Sequence, residues 1–329
     1  MTIQCVFILP YFGRFNNYFP LFLRSCAENP TFHWLIFTDD DRPFHYPQNV
    51  KVIPMTFTQF KSLASNKLKF APALPSPYKL CDMKPAYGFL FEDYIRNYEY
   101  WGHCDCDVVF GNLSTMVTPA LQRGYDKLFS MGHMVIYRNT AENNRRFMHD
   151  YQGQPIYRKA FTTDRIYVFD EDGNPQKNPE RNNVHSIFLA EHCAVDTDDP
   201  SLNFSTTSDR FITTTYITET NKWIYDKRPM RCFWDNGRII NLVWNESRHE
   251  IDLKEYPYVH LQSRRMRIKN STLHAPLIEI RPDGFYRANA LPTTKREMQL
   301  AYLKLPTRFT VDRFVNRVEH KISSLIIKR

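Results

Sequence analysis

Ile3-Gln4-Cys5-Val6-Phe7-Ile8-Leu9-Pro10-Tyr11-Phe12-Gly13 is the stretch that decides the fold. Its near-continuous apolar run reads as a strand buried in a sheet, and Pro10 and Gly13 bring it to an end. Residues from about Tyr18 to Glu28 then carry apolar side chains at helical spacing, and Trp34-Leu35-Ile36-Phe37-Thr38 forms a second buried run before Asp39-Asp40-Asp41. Strand, helix and strand in that order make a β-α-β unit, which Val50 to Met55 extends by a third strand. The alternation predicts an α/β fold with a mostly parallel sheet flanked by helices. Ligands of open α/β sheets lie beyond the carboxyl ends of the strands, so Pro10, Tyr11, Gly13, Asp39 and Asp40 are candidate nucleotide contacts.

Further along, Asp82 to Tyr98 is expected to be a helix, with Asp82 as N-cap and Pro85 in the first turn. Tyr100-Trp101-Gly102-His103-Cys104 follows as a strand and runs into Asp105-Cys106-Asp107. Residues two apart on a strand share a face, so Asp105 and Asp107 are expected to point the same way, opposite Cys104, Cys106 and Val108. Two neighbouring carboxylates repel each other unless a hard, oxygen-seeking cation such as manganese or magnesium lies between them. Asp-x-Asp is common in solvated turns, so its context has to carry the reading.

Helices are expected at Leu113 to Tyr125 and Ala141 to Tyr151, flanking strands near Leu128 to Met131 and Met134 to Tyr137. Gln152 to about Arg181 reads mostly as loop, rich in Asp, Gly, Asn and Pro, and it carries Asp170 and Glu171. Val184 to Ala190 reads as a short helix, Arg231 to Trp244 as a hairpin turning at Asp235-Asn236-Gly237, and Tyr256 to Leu261 as a strand. From Arg308 onward, apolar residues at helical spacing alternate with Arg and Lys in a basic amphipathic pattern.

Bulk properties narrow the function. The chain has 329 residues, 43% of them hydrophobic, which is enough for a substantial core and argues against disorder. A formal charge of +8 favours an anionic partner. The basic residues gather at Arg264 to Lys269 and in the C-terminal tail, without zinc-finger, RNA-binding or zipper spacing, which argues against nucleic acid. Seven cysteines, an odd number in apolar settings, suit reduced thiols. The first apolar run is too short for a signal peptide, and no stretch reaches the ~20 apolar residues of a membrane span. A cytoplasmic protein is the expectation.

Taken in order, Leu9-Pro10-Tyr11-Phe12-Gly13, Trp34 to Asp40, Tyr78-Lys79-Leu80-Cys81-Asp82-Met83-Lys84-Pro85-Ala86-Tyr87-Gly88, Tyr100 to Gly111 and Val259-His260-Leu261-Gln262 resemble the bacterial GT-A-type glycosyltransferases of polysaccharide (capsule and O-antigen) biosynthesis clusters. The resemblance spans roughly residues 3 to 265. It implies a GT-A-like, Rossmann-related domain over 1–270, with a nucleotide-sugar half at about 1–112 and an acceptor half at about 113–270. Residues 271–329 would form a C-terminal extension with the basic amphipathic helix. It further implies that Asp105 and Asp107 hold a manganese or magnesium ion on the diphosphate of a nucleotide sugar, with His260 completing the coordination. By the same likeness, Lys79, Asp82 and Lys84 would grip donor sugar or phosphate, Arg264 and Arg265 would reach the diphosphate, and Tyr11 with Asp39 or Asp40 would hold the base.

An inverting transferase also needs a carboxylate to take the acceptor's proton, and Asp170 or Glu171 is the candidate; a retaining one does not, so the stereochemistry stays open. His133 and His192 are candidate acceptor contacts. The expected reaction is transfer of a hexosyl group, from a donor expected to be UDP-linked, to a glycan or lipid-linked glycan. The tail would rest on an anionic inner membrane, where each nearby Lys or Arg contributes ~1 kcal/mol. Two other classes fit less: a metal-dependent nucleotidyltransferase or phosphoesterase, whose Gly-Ser turn is missing before Asp105, and a non-catalytic carbohydrate-binding protein.

Overall fold

The computed structural model describes residues 4–300, apart from 173–179, 181, 207, 218–219, 221 and 227, together with Val311. The amphipathic pattern expected from Arg308 to Arg329 lies outside the described residues apart from Val311. Strands β1 (Cys5–Tyr11), β2 (Phe32–Thr38) and β3 (Val50–Pro54) form as expected, with helix α1 (Phe19–Ala27) between the first two. Both faces of β1 are buried: Cys5, Phe7 and Leu9 join one apolar cluster, and Val6 and Ile8 join another. That double burial is why its sequence is a continuous apolar run rather than an alternation.

Strand β4 (Tyr100–Cys104) pairs in parallel with the other edge of β1, giving the order β3-β2-β1-β4 with every neighbour parallel. The chain therefore leaves β1 in one direction and returns on its opposite side. The β1/β4 boundary is a topological switch point, where open α/β sheets place their ligands. Strand β5 (Val108–Phe110) does not continue this sheet, which is completed by β6 (Lys127–Leu128), β7 (Met134–Arg138) and β8 (Val195–Asp196). The seven-stranded sheet is parallel-rich, antiparallel only where β7 meets β4 and β6. Helix α1 covers one face and α2 (Phe57–Leu68), which starts in a Thr56–Gln59 capping box, covers the other. The protein is a mixed α/β structure with this large sheet flanked by helices.

Two further sheets went largely unread in the sequence. One runs β11-β10-β9-β15-β5, with β9 (Leu202–Phe204), β10 (Phe211–Ile217), β11 (Lys222–Asp226) and β15 (Tyr258–His260). The other runs β14-β13-β12-β16-β17, with β12 (Met230–Asp235), β13 (Arg238–Asn245), β14 (Glu250–Tyr256), β16 (Leu277–Arg281) and β17 (Gly284–Arg287). The hairpin at Asn236-Gly237 is as expected, both residues holding positive φ (44° and 86°). Strands β16 and β17 complete a sheet begun before residue 270, and the main sheet takes strands from both sides of residue 112.

Four expected elements differ. The helix from Asp82 to Tyr98 is a series of single turns, Leu80–Met83, Tyr87–Leu90 and Glu92–Ile95, with Asp82 inside the first rather than capping it. Pro85 lacks the N–H that would continue the helix. Ala141 to Tyr151 forms turns and a short 3-10 stretch, Arg146–Met148, because its asparagine side chains bind elsewhere. Asn144 accepts Trp101 Nε1 at 2.7 Å and Asn143 donates to Asp126. The expected loop after Gln152 contains a helix, Ile156–Thr162, and Leu113 to Tyr125 splits into Leu113–Met116 and Thr118–Gln122.

Candidate metal and active site

Asp105-Cys106-Asp107 is not on a strand. It is the turn by which the chain passes from β4 in the first sheet to β5 in the second. The period-two argument for a shared face is thus corrected, because a change of sheet bends the backbone between the two acids. The carboxylates converge all the same, since the third component comes to them. Strand β15 pairs antiparallel with β5 in a register that sets His260 opposite Val108, one residue beyond Asp107. His260 Nε2 lies 3.5 Å from Asp107 Oδ2 and 3.8 Å from Asp105 Oδ2. One ligand atom from each of the three residues lies within 4.8 Å of the others.

The surroundings fix the geometry. Asp107, only 5% exposed, accepts hydrogen bonds from the Ser263 backbone N–H and, at 3.2 Å, the Ser263 hydroxyl. Burial works to raise its pKa, but His260 and Ser263 outweigh burial and hold the carboxyl below the usual range. His260 is the mirror case: burial disfavours its charge, yet Asp107 and Asp105 raise its pKa above the ordinary value. The site therefore attracts positive charge. Gln262 and Ser263 both adopt positive φ (56° and 51°), a strained turn kept in place by Asp107, whose carbonyl also accepts Leu261 N at 2.9 Å.

On its other side, the His260 ring presents Nδ1 to Asn203 Oδ1 at 3.1 Å, and Gln262 Nε2 lies 3.3 Å from the same nitrogen. Strand β9 aligns Asn203 beside His260, and the Asn203 amide is oriented by donating to Ser201 Oγ. A proton on Nδ1 shared with Asn203 leaves the Nε2 lone pair facing the two acids, as a metal-ligating imidazole requires. Two carboxylates and one such imidazole could hold a divalent metal ion. Asn203 and Ser263 were not found from the sequence. Nothing local marks them, since only strand pairing and a strained turn bring them here.

Lys84 links this cluster to a further acid. Its ammonium lies 2.7 Å from Asp105 Oδ1 and 3.3 Å from Asp170 Oδ2, and it donates to Gly132 O at 2.8 Å. Burial works against the charge, but Asp105 and Asp170 keep the ammonium protonated well above the usual lysine range. Burial pushes the Asp170 carboxyl up to about 7; Lys84 opposes the shift and Glu171 adds to it. Gly132 permits the approach, because a Cβ there would sit 2.3 Å from Asp170 Oδ2. Glu171 accepts Gly132 N at 3.2 Å. The fold thus brings Asp170 and Glu171 beside the acids at 105 and 107.

Other candidates are used differently. Lys79 and Asp82 form a buried ion pair at 2.6 Å, 1% and 0% exposed. Asp82 also accepts the N–H groups of Tyr167 and Phe169 at 2.9 and 2.8 Å, while Lys79 donates to the carbonyls of Ala160 and Arg165. In this arrangement both residues hold the segment leading to Asp170 instead of facing a donor. Arg264 is 4% exposed and donates to the Ser205 and Ser208 carbonyls and to Asp209, so it braces the loop between β9 and β10. Arg265 is exposed. Together with Asn16, Asn17, Arg267 and Asp283 it lines a cavity of about 300 Å³.

At the end of β1, Gly13 N donates to Asp39 at 2.7 Å, and Asp40 accepts Phe15 N at 2.8 Å while pairing with Arg42. Asp39 and Asp40 thereby pin the loop that follows Pro10 and Tyr11, the last two residues of β1. The Tyr11 hydroxyl is pushed up to about 12 by burial and then by Cys106 and Asp107, which places it beside the acidic turn. His133 lies against His260 with ring centroids 4.5 Å apart and planes tilted by 34°, and it bonds Tyr258 OH at 2.8 Å. Burial, reinforced by His260 and Lys84, keeps its pKa well below the ordinary value. His192 is exposed in the turn after helix Val184–Ala190.

A carboxylate and imidazole cluster at the carboxyl end of a parallel-rich sheet defines the class of protein: an α/β chain with a candidate metal site at its topological switch point. The chain belongs to DUF6625, a family of unknown function whose profile matches residues 7–289. No curated protein matches it. Among solved structures it is similar to the galactosyltransferase LgtC in complex with donor and acceptor sugar analogs, at 11% identity and a TM-score of 0.33, over 62% of this chain and 76% of that one. Among the described residues, no helix is long and apolar enough to cross a membrane.

Proposed function

We propose that this chain is a metal-dependent glycosyltransferase of the GT-A type, moving a hexosyl group from a UDP-linked sugar to a glycan or lipid-linked glycan acceptor in surface polysaccharide biosynthesis. The observation that carries the reading is the convergence of Asp105, Asp107 and His260 on one point beside the end of β1. A divalent manganese or magnesium ion bound by these three would supply Lewis acidity toward a departing diphosphate. Residues 1–112 give most of the donor contacts in this reading: the Pro10 to Gly13 loop and Tyr11 shape the nucleotide end. Arg265 would add positive charge for the diphosphate.

Asp170 is the candidate base. A carboxyl titrating near neutrality accepts a proton from an acceptor hydroxyl far more readily than one titrating near 4. Lys84, between Asp105 and Asp170, holds the two acids at a set separation and offsets their mutual repulsion. Glu171 steadies the loop through Gly132. The protein would work at the cytoplasmic face of the membrane, with the basic C-terminal residues in contact with anionic lipid. Truncation after Thr307 should abolish binding to anionic liposomes, and unchanged binding removes the membrane contact from the proposal.

The deciding experiment is a panel of nucleotide sugars assayed for slow hydrolysis with and without manganese. One UDP-sugar should be hydrolysed only when the metal is present, and UDP should raise the melting temperature only with manganese. Hydrolysis of nucleoside triphosphates or phosphate esters instead would favour the nucleotidyltransferase or phosphoesterase class. No metal-linked shift with any nucleotide would leave a binding protein.

A further inference from the structure

Tyr78 is the most exposed of the large apolar side chains described, at 76%, yet it is not remote from the site. It lies in the turn Pro77–Lys79, directly before the Lys79–Asp82 ion pair. Lys79 binds the Arg165 carbonyl at 2.5 Å and Asp82 binds the amides of Tyr167 and Phe169, so the segment from 165 to 169 lies against this turn. Phe169 is fully buried, whereas Ile166 and Val168 are 41% and 37% exposed. The next residue is Asp170.

Val168 has a φ of 65°. A β-branched residue in the left-handed region is a genuine outlier and persists only where its surroundings over-determine it. Asp82 does that by gripping the amides on both sides of Val168. A fully buried ion pair is thus committed to holding an exposed aliphatic side chain in a disfavoured conformation, two residues before the candidate base. Behind partial enclosure and Cys81, Asp105 and Asp170 both lie close enough to the Tyr78 hydroxyl to help raise its pKa.

We infer that Tyr78, Ile166 and Val168 form the acceptor subsite, an apolar platform that receives the C–H face of a pyranose ring and turns one of its hydroxyls toward Asp170. The negative face of an aromatic ring attracts polarised C–H groups, and flanking aliphatic side chains exclude water from the contact. The inference rests on the glycosyltransferase reading for its reaction but not for its binding. A platform can be occupied without donor or metal.

Saturation-transfer NMR on the full chain, without metal, tests this with methyl glucoside, galactoside and mannoside as probes and sorbitol as the open-chain control. At least one pyranoside should receive saturation at its ring C–H protons and sorbitol should not. The signal should fall roughly fivefold in Tyr78→Ala, the scale of a single aromatic contact, and persist in Tyr78→Phe. Val168→Gly should lower it as well while relaxing the backbone, which makes it a variant safe from misfolding. Absence of transfer to every pyranoside, equal transfer to sorbitol, or undiminished signal in Tyr78→Ala overturns the inference. Manganese-dependent hydrolysis is read separately: pyranoside binding without hydrolysis removes the transferase reading and leaves the platform, and hydrolysis without pyranoside binding does the reverse.

Discussion

Asp82 and Asp107 are both buried carboxylates, and the molecule uses them in opposite ways. Asp82 faces a lysine and two backbone amides, all from its own chain, so its charge and its lone pairs are accounted for. Asp107 faces a second carboxylate and an imidazole, with Ser263 on one oxygen, and the nearest ammonium belongs to Asp105 and Asp170. The first arrangement is closed and the second is open to a cation. Burial alone does not distinguish a structural acid from a functional one. The sign and completeness of its partners do.

The largest test of that contrast is Asp107→Ala. Metal-linked stabilisation by UDP and all turnover should vanish, and the fold should lose about 1–3 kcal/mol because Ser263 N is left without its acceptor. Retained metal response in calorimetry would put Asp107 in the same class as Asp82. Next in size, Asp170→Asn should lower turnover roughly 10²- to 10⁴-fold. In the parent enzyme a base is competent only when ionised, so the rate should climb as pH rises through about 7, and the variant's profile should be flat there.

The same carboxyl makes a stability prediction. Its folded pKa is raised above the ordinary value, so the folded state holds a proton that the unfolded chain releases near pH 4. That contribution is complete below about pH 4 and is lost as pH rises through about 7. The parent melting temperature should therefore decline over this window more than that of Asp170→Asn, which cannot titrate.

Lys79→Met addresses the closed pair. Leaving Asp82 buried without its ammonium should cost about 3–5 kcal/mol in urea unfolding, while metal-dependent stabilisation by UDP survives in the folded fraction. A loss of metal response without a loss of stability would instead assign Lys79 to the donor. The smallest effect is expected of Asn203→Ala, which removes the partner of His260 Nδ1. Metal affinity should weaken roughly 10- to 100-fold with the fold intact, and unchanged affinity by titration would detach Asn203 from the site.

The parallel half of the fold was legible because its strands are buried on both faces and announce themselves as apolar runs. Val6 and Phe7 each needed a hydrophobic neighbour, whichever way they pointed. The antiparallel half was legible only at the Asp235-Asn236-Gly237 hairpin and the short strand before Leu261. Strands such as β14, Glu250–Tyr256, keep one side wet and mix charged with apolar residues, so their pattern resembles a loop. The segment around Asn143 and Asn144 misled in the other direction. Its spacing is helical, but its side chains bind Asp126, Asn139 and Trp101.

For the site, Asp105 and Asp107 stood out in the sequence as paired acids at the end of an apolar run and Asp170 as an acid in a loop, while His260 and Lys84 entered only through the family resemblance. Tertiary structure decided which of the charged candidates were already neutralised from within, closing Lys79 on Asp82 and Arg264 on the loop between β9 and β10. It also supplied Asn203, Ser263 and the Tyr78 platform, whose roles exist only through strand register and a strained backbone. Charge is a property of the residue. Whether that charge is satisfied depends on distances between segments far apart in the chain, and no local pattern encodes them.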